Sequence, residues 1–404
     1  MHPRGDTLTV PDVLDLTDRA FHEDPYPVYE RLRETAPAVR TSYGSWVVAR
    51  FAEVSALLRD PRLRADFPAD PRWVERHGGA GSTTVSDGRH WMLLREGIDH
   101  DGIRRAFHDF FTPRAVACRT TAITQAVEQV LERLDPTGPV DIVSDVAEPI
   151  VVAAMSDTLG LSTGHAPYAA WTADISRMTD PVPGPRVRER VDRAMTEFRA
   201  HVETLTREDR LSGIAAALLY DNAAPTQSTS AVVANLVMLA MAGTDTTVSQ
   251  ITLAVRALLG HPDQLARVRA DPDTAARTIA EFARYDGPVH LVTRRTAEPV
   301  AIGAAVVPAG AKVMLCIGSA NRDPARYPDA HVLDLTRTGV AALPFGDGAH
   351  YCLGAHLGRL ITATTLTALF RRHPSLTPAH PLERLAWRPS VVARRPERLP
   401  VLLS

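Results

Sequence analysis

The chain has 404 residues, enough for one large domain or two or three smaller ones, and its 45% apolar fraction suffices for a sizeable core. Its 45 Lys and Arg nearly balance 47 Asp and Glu, which removes the polyelectrolyte signature of a nucleic-acid or anionic-membrane binder. Three cysteines, Cys118, Cys316 and Cys352, lie far apart with no CxxC pair, so neither a disulfide framework nor a multi-cysteine metal cage is expected.

The first residues, "MHPRGDTLTV", lack the apolar core of a secretory leader. The most apolar later run, "AVVANLVMLAMAG", reads as too short and too interrupted to cross a bilayer. A cytoplasmic protein without membrane attachment is expected. The 31 prolines are scattered, no repeat period appears, and residues 1–404 read as a single domain.

Along the chain, helical periodicity covers residues 25–34, 51–58, 113–134, 142–159 with an interruption at Pro149, 187–206 and 262–270. Strand character is confined to "AVRTSYGSWVVAR" near the start, "LVTRRTAEPVAIGAAVVPAGAKVMLCIG" in the third quarter, with turns at Gly303 and Pro308-Ala-Gly310, and "LPVLLS" at the end. The predicted fold class is mainly α with small β-sheets, an α+β domain. Residues 229–259 form a helix whose first half is apolar on almost every face, which places it at the centre of the molecule. "GTDTT" comes directly after; Gly243 weakens a helix and Asp245 is costly to bury, a break in local rules that function most often explains. Emergence of the helix into solvent at that point is the plainer alternative.

The most informative stretch is "FGDGAHYCLG", Phe345 to Gly354, where a glycine-rich loop gives way to a helix at Cys352. Any metal bound at Cys352 has this thiolate as its one protein ligand. The glycines allow backbone amides to turn around the sulfur, and the positive end of the following helix faces it. An inert thiol, the usual state of a lone cysteine, is the reading favoured for Cys118 and Cys316.

Four separated segments, in order, resemble the cytochrome P450 family, in particular its soluble bacterial branch. Phe345, Gly346, Gly348, His350, Cys352 and Gly354 fit its FGxGxHxCxG haem-binding pattern, a specific match. Ala242-Gly243-Thr244-Asp245-Thr246 looks like its AGxDT segment, Glu281 and Arg284 like its ExxR pair, and His100 with Arg104 like its HxxxR helix. The resemblance implies the cytochrome P450 fold, with haem b (iron protoporphyrin IX) between the long central helix and the cysteine loop and Cys352 as axial ligand. It implies that His100, Arg104, Arg294 and His350 pair with the haem acid groups, Arg294 being preferred over Arg295 by its register with the strand at 300–303. It implies that Gly243 leaves a gap for dioxygen and that Asp245 and Thr246 relay protons to the reacting oxygen. Back-bonding of Thr246 to a helix carbonyl is compatible with that role. In many relatives a further Arg joins the ExxR pair; the aligned position here is Val332, with Arg322 or Arg337 as substitutes. Gly358 and Ile361 stand where relatives commonly carry alanine and glutamate, a difference expected to affect packing.

The activity this resemblance implies is that of a haem-thiolate monooxygenase that inserts one oxygen atom into a small organic substrate, most naturally by hydroxylation, in bacterial secondary metabolism. Epoxidation, oxidative coupling and nitration share the same oxidant, and a non-oxygenating haem sensor or electron carrier is the alternative of another class. Without a flavin or nicotinamide fingerprint, electrons are expected from a ferredoxin and its reductase, docking where Arg105, Arg114 and Arg359 supply positive charge. A monomer is expected. Residues 66–94 and 176–186 read as mobile lids over the substrate, and Leu239 and "VHLV", 289–292, as its walls. His290 is placed either against a polar substrate group or satisfied by backbone.

Overall fold

The helix Thr229–Leu259 runs 31 residues through the centre of the molecule. Its first turn is closed by Ser228, whose hydroxyl accepts from the Ala231 amide at 3.2 Å, a cap worth about 1 kcal/mol. Ser249 and Thr252 return their hydroxyls to the Asp245 and Val248 carbonyls at 2.8 Å, so polar residues on a buried helix are satisfied within it. In this computed structural model, residues 14–162, 164, 166–180, 184–221, 227–339 and 342–403 are described. The apolar run is longer than the sequence suggested. By length and mean hydropathy, 1.4 over eighteen residues, this helix is apolar enough to cross a membrane, but 83% of that window is buried inside the protein.

The cover consists of helices. Glu148–Leu159, Tyr168–Ser176, Pro185–Arg207 and Ala355–Arg372 all pack on the central helix and share one large apolar cluster with it. Asn235 ties this core to the segment before the next functional helix: its amide donates to the His90 carbonyl at 2.7 Å and accepts from the Met92 amide at 2.9 Å. That anchor fixes the approach to the helix Gly97–His108, which carries His100 and Arg104.

A five-stranded sheet forms the other side. Its strand order is Val39–Arg40, Trp46–Val48, Lys312–Leu315, Val292–Thr296, Leu63–Arg64. Trp46–Val48 and Lys312–Leu315 run parallel, and Arg294 pairs with Val313 in the adjacent antiparallel ladder. The expected turn at Gly303 joins Val300–Ile302 to Ala305–Val307 with a φ of 58°, where a side chain would strike the Pro37 ring. The last strand, Pro400–Leu402, lies between Val140–Asp141 and Thr377–Pro378.

Two helices depart from the periodic reading. The expected helix 113–134 breaks into Pro113–Ala117 and Thr120–Glu132 at Cys118, which is exposed. Residues 142–147 are wound as a π-helix before the α-helix Glu148–Leu159 begins. Pro149 lacks an amide hydrogen and its ring crowds the carbonyl of Asp145, and the wider turn relieves both. The helix ends at Gly160, φ 75°, where a Cβ would collide with the Ser212 backbone. The expected helix 187–206 extends to Pro185–Arg207, and residues 181–183 of the expected second lid lie outside the described residues.

Candidate functional site

A cavity of about 1390 Å³ lies between the central helix and the loop before Ala355–Arg372, with Cys352 in its wall and Ala242, Gly243, Asp245 and Thr246 among the residues opposite. Gly346 and Gly348 both take positive φ, 71° and 69°. A Cβ on Gly348 would sit 2.7 Å from the Leu58 carbonyl oxygen, so the loop's close seat on the neighbouring helix end requires glycine there. The Cys352 amide donates to the Phe345 carbonyl at 2.9 Å, and the Arg359 guanidinium stacks 4.2 Å from the Phe345 ring, which fixes the loop on both sides. Cys352 is open to the cavity but densely walled by protein. Burial pushes its thiol up, against the pull of the Gly354 amide and the Arg104 and Arg359 charges. A coordinated cation would supply the charge that turns it into a thiolate.

At the cavity's edge the structure brings together His100, His350, Arg294 and Arg104. The two imidazoles lie 4.5 Å apart, centroid to centroid. His100 is almost wholly buried; its Nδ1 is bonded to Asp101 at 2.9 Å, and its Nε2 is buried without a partner. Arg294 is buried and forms no ion pair among the described residues, giving one N–H to the Thr293 carbonyl at 2.9 Å. Burial lowers its affinity for the proton, opposed by the Glu96 charge. Arg295 is already committed to Asp66 at 2.9 Å. An orphaned imidazole nitrogen and a buried, unmatched guanidinium beside a cavity-facing thiol fit a haem, whose acid groups need such partners. Arg104 gives one N–H to the Tyr351 carbonyl at 2.7 Å and so also braces the residue before the cysteine. Glu96, which belongs to no sequence motif, holds His350 Nε2 at 3.2 Å.

Across the cavity, the Thr246 hydroxyl donates to the Ala242 carbonyl at 2.6 Å, the back-bonded geometry. Asp245 is 3% exposed and receives Arg388 on Oδ1 at 2.7 Å, while Oδ2 is buried without a partner. Arg388 lies in an irregular segment without periodicity, which is why sequence reasoning missed it. A Cβ on Gly243 would lie 2.7 Å from the Met155 sulfur, so the missing side chain leaves room for the tip of that residue, and Gly243 also lines the cavity.

The brace behind the loop is complete. Arg284 and Glu281 form a two-pronged pair at 2.7 Å in each arm, both side chains buried. Arg284 also donates to the carbonyls of Asn321, Ala330 and Val332 at 3.1, 2.8 and 2.9 Å. Val332 therefore joins through its backbone. The second cation is Arg337, 3.4 Å from Glu281, and not Arg322, which stacks between the rings of Tyr26 and Tyr285.

His290 is the clearest misplacement. It is buried outside the cavity wall, its Nδ1 3.1 Å from the Tyr29 hydroxyl and its Nε2 3.5 Å from Asp286, so it meets neither substrate nor backbone. Its neighbours Val289, Leu291 and Val292 line the cavity, and His290 does not. Phe67, Trp73 and Met92 of the first expected lid, Met178 of the second, and Leu239 do line the cavity. Of the expected docking cations, Arg105 and Arg114 are exposed, whereas Arg359 is half-buried against Phe345.

Comparison with known proteins agrees with this layout. The family described as Cytochrome P450 matches residues 186–398. The chain is 32% identical to the 6-deoxyerythronolide B hydroxylase of Saccharopolyspora erythraea, over 98% of this chain and 99% of the relative. It is 32% identical to the cytochrome P450 monooxygenase PikC of Streptomyces venezuelae, over 98% and 95%. The crystal structure of CalO2 superposes with a TM-score of 0.89 at 30% identity, over 97% of this chain and 98% of that one. With a thiol, a buried acid beside a half-buried alcohol, and unmatched cations around one cavity in this fold, the chain belongs to the cytochrome P450 family, among its bacterial members, and is a haem-dependent monooxygenase that takes electrons from a redox partner.

Proposed function

We propose that this monooxygenase binds haem b through Cys352, receives electrons from a ferredoxin and its reductase, and hydroxylates a small organic substrate as a tailoring step of secondary metabolism. The observation that carries the reading is the placement of Asp245 and Thr246 across one cavity from Cys352. The bound haem supplies the redox chemistry by which dioxygen is activated. In the balance, a C–H bond, dioxygen, two electrons and two protons become a C–OH bond and water. The protein's share is to deliver those protons on one side, hold the cofactor and keep bulk water out.

Asp245 holds a proton at Oδ2, the oxygen that Arg388 leaves free, and Thr246 passes it on from Oγ1 once its hydroxyl swings from the Ala242 carbonyl. Arg388 acts as a positioning residue. His100, Arg104, Arg294 and His350 hold the haem acid groups, with Glu96 fixing the His350 ring. Met238, Leu239, Leu291 and Val292 supply apolar wall for the substrate. Hydroxylation is supported by the hydroxylase that is 32% identical to this chain, and a place in secondary metabolism by the polyketide biosynthesis cytochrome P450 PksS of Bacillus subtilis, 28% identical.

Thr246→Ala tests the relay. The reduced carbon monoxide spectrum is expected to be unchanged, while product formed per dioxygen consumed falls about tenfold or more and hydrogen peroxide accumulates. Full coupling in the variant removes Thr246 from the mechanism.

A further inference from the structure

Each proton that Asp245 gives up has to be replaced from solvent, although its side chain is only 3% exposed. The C-terminal segment around Arg388 bears on how this happens. Residues 386–397 fold back as a short hairpin: the Glu397 amide donates to the Ala386 carbonyl at 2.7 Å, the Arg388 amide donates to the Arg395 carbonyl at 3.1 Å, and Trp387 lies opposite Pro396. Arg388 and Arg395 are therefore direct cross-strand neighbours whose side chains leave on the same face. On that face each takes a carboxylate from a different helix. Arg388 holds Asp245 of the central helix at 2.7 Å, and Arg395 holds Glu148, the first residue of Glu148–Leu159, at 3.2 Å.

The group runs from the site to solvent by a way other than the cavity. Asp245 lines the cavity and Glu148 does not, yet the Glu148 side chain is 29% exposed. Two polar atoms within the group, Asp245 Oδ2 and Arg395 Nε, are buried with no hydrogen-bond partner among the described residues. The guanidiniums keep their protons at any working pH, so Arg388 and Arg395 set the field and the two carboxyls are the groups that can exchange a proton. Burial pushes the Glu148 carboxyl up, opposed by Arg395 and Arg388 and reinforced by the charges of Asp245 and Asp141. The other carboxylates at hand are committed. Asp141 holds Arg398 at 2.9 Å and the Leu399 amide at 2.8 Å, and Asp174 pairs with Arg190 at 3.2 Å.

We propose that Glu148 is the proton-supply residue of this site, taking a proton from solvent and passing it through intervening water to Asp245, with Arg388 and Arg395 holding the two carboxyls side by side. In this step the Glu148 O–H bond breaks, the Asp245 Oδ2–H bond forms, and the negative charge moves outward to Glu148 beside Arg395. Solvent then restores the Glu148 proton, and no electron moves. Glu148 acts only through Asp245 and touches no reacting atom. This deepens the monooxygenase reading and rests on it for the statement that Asp245 delivers protons; the coupling of the two carboxyls is measurable without turnover.

The test has two readouts on the purified holoenzyme. Infrared titration follows the carboxyl band that Glu148→Gln removes; Asp245→Asn is expected to lower its titration midpoint by about half a pH unit or more, because a neighbouring negative charge is gone. Dioxygen consumption is then driven by NADPH through a plant ferredoxin and its reductase, with ferredoxin in excess so that electron supply does not limit. Glu148→Gln is expected to slow it about tenfold and to raise the solvent hydrogen isotope effect, and Glu148→Asp to recover most of the loss at a shifted pH optimum. A residue that only packs would lower the urea midpoint of Glu148→Gln and leave the isotope effect and pH profile as in wild type. That result, or a Glu148 band indifferent to Asp245→Asn, overturns the proposal. With a thiolate-type carbon monoxide spectrum and a slowed Asp245→Asn, such a failure refutes the supply role alone; wild-type rates in Asp245→Asn refute the relay, and loss of that spectrum from wild type refutes the haem-thiolate reading.

Discussion

Glu281→Ala is expected to destabilise the protein by about 3–5 kcal/mol, the scale for removing one partner of a buried ion pair. Both arms of the Arg284 fork at 2.7 Å end on this carboxylate, and both side chains are sealed from water. The variant leaves a guanidinium in the interior with three backbone carbonyls and no counter-charge. It also strips an acceptor from Arg337 and from the Asp334 amide at 3.1 Å. Those bonds hold residues 321–337, the stretch leading into the cysteine loop, so haem retention is expected to fall with stability. Glu281→Gln keeps the shape and loses the charge, and is expected to fall between wild type and alanine. Urea midpoints with haem absorbance at each step check this; an alanine variant within about 1 kcal/mol of wild type contradicts a bracing role.

Asp245→Asn is expected to lower turnover by about a hundredfold or more, the usual contribution of a positioned proton donor, with a raised solvent hydrogen isotope effect. Asparagine fills the same space and accepts the Arg388 hydrogen bond, but it cannot release a proton from the position that Oδ2 occupies. Arg388→Gln separates positioning from chemistry. It removes the partner that fixes Oδ1 and leaves Asp245 ionisable, so its activity is expected to fall less than that of Asp245→Asn and its pH profile to move. A profile identical to wild type shows that Arg388 only packs.

Contiguous chemistry is legible in the sequence, and chemistry assembled from distant loops is not. The strand turn at Gly303 and the central helix can be placed in advance because a backbone angle or a periodic apolar pattern needs only nearby residues to declare itself. Arg388 and Glu96 cannot, since an ion-pair partner in an irregular segment carries no local signature. Val332 resembles a defect in the ExxR network when side chains are compared, whereas the bond it supplies comes from a carbonyl that any residue has. His290 is misplaced for want of the peptide's orientation: one residue's rotation separates the cavity wall from the Tyr29 and Asp286 cluster. The residue that faces Gly243, Met155, comes from a separate helix and is unknowable from the local sequence. The π-turn at 142–147 is announced by Pro149, but as an interruption of unknown kind.

The central claim is that Cys352 is the ligand through which this protein holds haem iron. It is tested most directly by the visible spectrum of the reduced protein under carbon monoxide, wild type beside Cys352→Ser. The thiolate-type Soret band is expected in wild type and its loss in the serine variant, with turnover abolished. An imidazole-type band in wild type, or a thiolate-type band that survives in Cys352→Ser, contradicts it.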